Sequence, residues 1–168
     1  MKQLVFDKRV RPVLWGFTDA SFAEDHTNKS HGGCALYLGT NLVQYYSRTQ
    51  RWVSTSTGMS EMNEIHRTTQ EVVVLKGMMA DVGIMTKDCT ATVFSDSATA
   101  LTSIKGDTIK KRSKHLATKI TYCRERSEDH DFLSRPVREI EPVYIPKTWN
   151  MSVWDIILEQ EGNRKVKR

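Results

Sequence analysis

LWGFTDASFA, residues 14–23, is an apolar, aromatic run with one carboxylate, Asp19, set inside it. Such a run, ending at the polar stretch 24–30, reads as a β-strand. A lone carboxylate buried in a strand is costly without a partner or a metal, and a strand interior gives it no capping role. Asp19 is therefore a candidate functional group. HGGCALYLG (31–39) and NLVQYYSR (41–48) are two further strand-like runs, separated by the short turn Gly39-Thr40. Three antiparallel strands in a meander are the simplest arrangement of residues 12–48, and LVF (4–6) would add an edge strand.

The period then changes. Met62, Ile65, Thr69, Val72, Leu75, Met79 and Val82 recur at three or four residues, the apolar stripe of an amphipathic helix. The Ser/Thr-rich stretch before it supplies N-cap candidates, and Gly83 stands where a C-cap glycine would. ATVFSD (91–96) is a short buried strand leading into a helix at 97–104, and a third helix covers about 109–127. REIEPVYIP (138–146) predicts a last strand, which Pro142 confines to an edge or a bulge. VWDIILEQ (153–160) predicts a closing helix. The order βββαβα(α)βα is that of an α/β chain, a mixed five-stranded sheet flanked by helices: three antiparallel strands, then parallel additions.

With 168 residues, 39% hydrophobic and 27% charged, the chain has the composition of one globular domain. No apolar run approaches the roughly twenty residues a membrane span needs, and MKQLVFDKRVRP has no secretory pattern. Cys34, Cys89 and Cys123 form no CxxC pair and read as reduced thiols. The charge of +5 permits a polyanionic partner without proving one.

The other acids fall at element ends. Asp96 closes the strand 91–96 at its junction with a helix, the edge of an α/β sheet where sites gather; it is equally an N-cap candidate. Glu64 lies in the early turns of the long helix. Glu61, three residues earlier, reads as a helix-dipole partner or a ligand. Asp155 opens the last helix, where it complements the dipole or joins a site.

This ordered set resembles the ribonuclease H domain at the end of the Pol polyprotein of copia-type (Pseudoviridae) LTR retrotransposons. The matching segments are GFTDASFAED (16–25), KSHGG (29–33), STSTGMSEMNEIH (54–66), VFSDSATAL (93–101), SKHLATKITYCRE (113–125) and VYIPKTWNMSVWDII (143–157). The resemblance covers residues 14–158 and implies Asp19, Glu64, Asp96 and Asp155 as catalytic, metal-holding residues. The family spaces its helix acids by two, not three; Glu64 is favoured over Glu61 because Ile65-His66 follows it. The implied domain is 12–161, after a leader at 1–11 from the preceding connection region and before a basic tail at 162–168. Met1 and the short leader suggest an excised or domesticated fragment.

The implied chemistry is hydrolysis of the RNA strand of RNA–DNA hybrids during reverse transcription, with two Mg²⁺ (which Mn²⁺ can replace) clamping the phosphodiester. The implied partners are the hybrid and the reverse transcriptase polymerase domain of the same polyprotein. The implied setting is the cytoplasm, in a virus-like particle. Residues 105–126 carry eight basic side chains against two acidic ones. Such a run is usually a solvated face; beside an acidic site it becomes a grip on phosphates through Lys110, Lys111, Arg112, Lys114, His115 and Lys119. Ser21, Ser60 and Ser97, next to the acids, are candidates for contact with 2′-hydroxyls. Two other readings fit the fold: a non-catalytic binding or scaffold domain, and an integrase or resolvase relative acting on DNA.

Overall fold

The computed structural model describes residues 12–23, 28–86, 89–109, 111–128, 130–132, 135–137 and 140–145. The strand expected at 4–6, the helix at 153–160, the leader 1–11 and the tail 162–168 lie outside the described residues. The three runs at the start form the meander, β1 (Leu14–Ser21), β2 (His31–Leu38) and β3 (Asn41–Thr49). The long helix α1 (Thr57–Asp81) follows, then β4 (Ala91–Ser95) and α2 (Ala98–Lys105). The remaining elements are a 3₁₀ helix (Lys111–Leu116), α3 (Ala117–Ser127), β5 (His130–Phe132), β6 (Arg135–Val137) and β7 (Ile140–Tyr144).

Five strands make one mixed sheet in the order β3-β2-β1-β4-β7, with β4 and β7 parallel additions to the antiparallel meander. Pro142, which cannot donate to a ladder, falls on the edge strand β7. The caps follow from local chemistry. The Ser56 hydroxyl accepts from the Met59 amide at 3.2 Å, and Gly83 takes φ +75° just past α1, a conformation costing glycine nothing.

Alternation along β1 sends its two sets of side chains to opposite faces. Gly16 lies under α1, where an added Cβ would meet Val72 at 3.1 Å and Thr68 at 3.3 Å, so the missing side chain lets the helix sit close to the sheet. Between them Leu14, Leu36, Val72, Leu75, Val93 and Ile140 pack into one cluster. Trp15 and Phe17 face the other way and stack on Phe94, at 6.0 and 4.8 Å between ring centroids. Met62 and Ile65 of α1 pack on Ala100, Leu101, Ile104, Ile120 and Cys123 of the shorter helices. Each fully buried aliphatic side chain of these clusters contributes about 1.5–3 kcal/mol.

Three features differ from the sequence reading. Val82 is 68% exposed rather than core, standing at the C-cap beyond the last buried turn of α1. The helix expected over 109–127 is two pieces, the 3₁₀ turn and then α3, which has no side-chain N-cap bond to extend it backward. Finally, β5 and β6 form a small antiparallel pair in a stretch with no strand signal in the sequence.

Arg124 also has a place of its own. Its guanidinium donates to the carbonyls of Ser103, Ile104 and Asp107 at 3.0, 3.1 and 3.3 Å, satisfying groups at the C-terminal end of α2 and just beyond it. Arg124→Ala is expected to lower stability by about 1.5–3 kcal/mol, the range for hydrogen bonds to a charged group, read as a shift of the urea midpoint. Arg124→Lys, lacking the fork, recovers only part of it.

Candidate active site

The parallel register of β1 and β4 brings two aspartates together. Thr18 pairs with Ser95, and the next residue on each strand is an aspartate, Asp19 and Asp96. Neighbouring strands run about 4.7–4.9 Å apart, so both acids stand side by side at the carboxyl ends of the strands, on the face away from α1. Both line one cleft of about 690 Å³ with Phe17, Gly33, Tyr45, Phe94 and Ile145. Asp19 is exposed, which corrects the expectation of a buried carboxylate. Its partner across the β1–β2 ladder is Gly33, whose missing side chain leaves that side open to water. One Asp19 oxygen accepts from the Ala20 amide at 2.8 Å.

The capping role considered for Asp96 belongs to Ser97, whose hydroxyl accepts from the Ala100 amide at 3.2 Å. Ser97 also donates to the Glu61 carboxylate, so a carboxylate of α1 lies one residue from Asp96. Glu64 has other partners. It is 3% exposed, and its carboxylate accepts from the Tyr46 hydroxyl at 2.6 Å and from Gln50 Nε2 at 3.4 Å. A Cβ on Gly32 would collide with that carboxylate. Of the two glutamates, Glu61 is thus the one bonded to the residue that follows Asp96, while Glu64 ties α1 to β3. Burial and the adjoining Glu64 carboxylate push the Tyr46 hydroxyl well above its usual range, keeping it a donor.

The basic run is divided. Lys111, Lys114 and His115 are exposed, as a phosphate grip requires. Lys119 is half-buried and donates to Asn63 of α1. Arg124 caps α2, and Arg126 lies 5.1 Å over the Tyr122 ring. Ser21 is half-buried at the end of β1; Ser60 is buried and donates to the Thr57 carbonyl at 2.7 Å. Asp155 and Lys110, and the side chain of Arg112, lie outside the described residues. Sequence reasoning missed Tyr46, Gln50 and the structural role of Arg124, none of which has a signal at local spacing.

His66, one turn beyond Met62, packs edge-on against Tyr122 at 5.1 Å. Burial first and the Lys119 charge second hold its pKa below the usual 6.5. The unfolded chain therefore takes up this proton before the folded one, and the stability gained at neutral pH is lost as pH falls below about 6.5. Urea midpoints at pH 7.5 and 5.5 are expected to differ less in His66→Asn than in the wild type.

Carboxylate oxygens are the hard donors that Mg²⁺ takes, so Asp19 and Asp96 fit such an ion. Among the described residues, no three His, Cys, Asp or Glu side chains converge to hold a metal. Nor, among them, is any helix long and apolar enough to cross a membrane.

The sheet order and the α1 crossover are those of the ribonuclease H fold. LC11-RNase H1, isolated from compost, superposes with a TM-score of 0.57 at 15% identity, covering 92% of this chain and 99% of that one. The same enzyme in complex with an RNA/DNA hybrid gives a TM-score of 0.55 at 14% identity over 82% and 88% of the two chains. The solution structure of the PFV RNase H domain gives 0.50 at 16% identity over 92% and 88%. No family model matches the sequence. In sequence, 119 residues, 70% of this chain, are 29% identical to the retrovirus-related Pol polyprotein from transposon TNT 1-94 of Nicotiana tabacum. The aligned part spans 9% of that polyprotein. The fold is therefore that of ribonuclease H, and in sequence the chain is similar to a segment of a retrotransposon Pol polyprotein.

Proposed function

We propose that this domain hydrolyses the RNA strand of RNA–DNA hybrids at a metal-dependent site built on Asp19, Asp96 and Glu61, with Asp155 as the fourth acid. The observation that carries this reading is the juxtaposition of Asp19 and Asp96 at the carboxyl ends of adjacent parallel strands, lining one cleft. The Ser97–Glu61 hydrogen bond supports Glu61 over Glu64 as the glutamate of the site. The hybrid bound to the structurally similar LC11-RNase H1 supports the substrate class.

Bound Mg²⁺ ions, two in this reading and replaceable by Mn²⁺, would neutralise the phosphodiester and acidify the attacking water. The chain's own residues do the rest. Asp19 and Asp96 would hold the cations and keep the cleft negative; Ser97 fixes the Glu61 carboxylate; the exposed Lys111, Lys114 and His115 would hold phosphates at a distance from the acids. Small side chains near the acids, with Ser21 first, face 2′-hydroxyls and select RNA. The Pol resemblance supports a polymerase domain in the same polyprotein as partner and a cytoplasmic particle as setting.

The test uses end-labelled RNA–DNA hybrid, duplex RNA and duplex DNA, incubated with the protein in Mg²⁺. The expected result is RNA cut only in the hybrid, leaving 5′-phosphate ends. Cleavage of duplex DNA would instead support a resolvase-like activity.

A further inference from the structure

The sheet end that carries Asp19 continues sideways into a rim the site does not use. Strand register aligns Ser21 with His31 and His31 with Thr49, and Gly32 with Arg48. Just past these pairs stand Phe22, 37% exposed, and the exposed Arg51 and Trp52, the latter 74% exposed. Lys29 lies two residues before His31. The segments just past this end of the sheet thus carry both aromatic and cationic side chains, Phe22, Lys29, Arg51 and Trp52.

The loop bearing Trp52 is fixed from below. Gln50 donates to the Ser60 carbonyl at 2.8 Å, Ser54 donates to Gln50 Oε1 at 3.0 Å, and Asn63 Nδ2 donates to Ser54 Oγ at 3.3 Å. The Gln50 amide also donates to the Ser30 carbonyl at 2.7 Å. Residues 50–54 are therefore pinned to α1 and β2, while the indole between the pins remains in solvent. A rigid loop that holds an indole in solvent offers a stacking surface at little ordering cost. Basic neighbours select a polyanion, and an aromatic face adds contact with sugars and bases that is tolerant of sequence. Thr49 lies two strands from Ser21, about 10 Å at ordinary strand spacing, which is within a few nucleotides of a phosphate held at Asp19.

The geometry points to Trp52 and Arg51 as a substrate-positioning contact, separate from the basic helix, in which the indole lies along the sugar edges of the hybrid's shallow groove and the guanidinium takes a phosphate. This rests on the proposed hybrid-cleaving function. It locates the second anchor of the duplex on the β3–α1 loop and predicts that the two anchors, on either side of the acids, fix the cut position.

The test measures binding of a fluorescein-labelled RNA–DNA hybrid by anisotropy in EDTA, where no cleavage occurs, for wild type, Trp52→Ala, Trp52→Phe and Arg51→Ala. Trp52→Ala is expected to weaken binding about tenfold, within the range for loss of one stacking contact, with Trp52→Phe recovering most of it. Arg51→Ala is expected to reduce the salt slope of log K by about one. With 74% of the side chain in solvent, the thermal midpoint of Trp52→Ala stays that of the wild type. Wild-type hybrid binding with unchanged affinity in Trp52→Ala overturns the contact alone and leaves the function standing; it would mean that the indole meets a protein. Absence of hybrid binding by the wild type overturns both.

Discussion

Asp96→Asn lowers hybrid cleavage by at least about 10³-fold and leaves the fold intact; Asp19→Asn does the same. The size follows from what is removed. Loss of a group behind a metal ligand typically costs 10–100-fold, and loss of a ligand's own charge costs more, above about 4 kcal/mol at 1.36 kcal/mol per tenfold. The fold survives because asparagine keeps the shape and the cap of α2 belongs to Ser97. Two carboxylates on adjacent strands also repel each other when no cation lies between them. In EDTA either variant is therefore expected to melt at or above the wild-type temperature. Added Mg²⁺ raises the midpoint of the wild type by mass action and that of the variants much less. Cleavage and melting together separate loss of the site from loss of the fold.

The second large effect separates two glutamates three residues apart. Glu61→Gln is expected to reduce cleavage by about 10²–10³-fold, the cost of losing one preorganised electrostatic group, with little change in stability. Glu64→Gln is expected to cut within a few-fold of wild type, because the amide oxygen still accepts from Tyr46. Glu64→Ala would strand the Tyr46 hydroxyl in a buried site and costs about 1–3 kcal/mol of stability. Cleavage rates and urea midpoints on the same four proteins decide it. A larger activity loss in Glu64→Gln than in Glu61→Gln would return the role to Glu64.

Much of the fold is legible because its signals are local. Alternation in 31–38 and 41–49, the three-four stripe from Met62 to Leu75 and the strand-helix junction at Asp96 each depend on a few neighbouring residues. Pro142 marks an edge strand by backbone chemistry alone. The site is less legible, because its geometry is set by contacts between elements. Whether Glu61 or Glu64 meets the strand ends depends on how α1 lies on the sheet, which Gly16 and Gly32 set by letting the helix approach. The exposure of Asp19 depends on Gly33, directly opposite it on the neighbouring strand but invisible in the run 14–23. The basic stretch 105–126 is one charge block in sequence and three kinds of side chain in space: exposed Lys111, Lys114 and His115, Lys119 bonded to Asn63, and Arg124 closing α2. The β5–β6 pair escaped notice because three-residue strands carry no period.

The central claim is that the paired aspartates form a cation-dependent site for cutting RNA in a hybrid. Its most direct test is the cleavage rate of an end-labelled RNA–DNA hybrid by the wild type in Mg²⁺ and in EDTA, beside Asp96→Asn in Mg²⁺. The predicted result is RNA cleavage by the wild type in Mg²⁺ alone. Cleavage that persists in EDTA or in a folded Asp96→Asn, or a folded wild type that leaves the RNA intact in Mg²⁺, would contradict it.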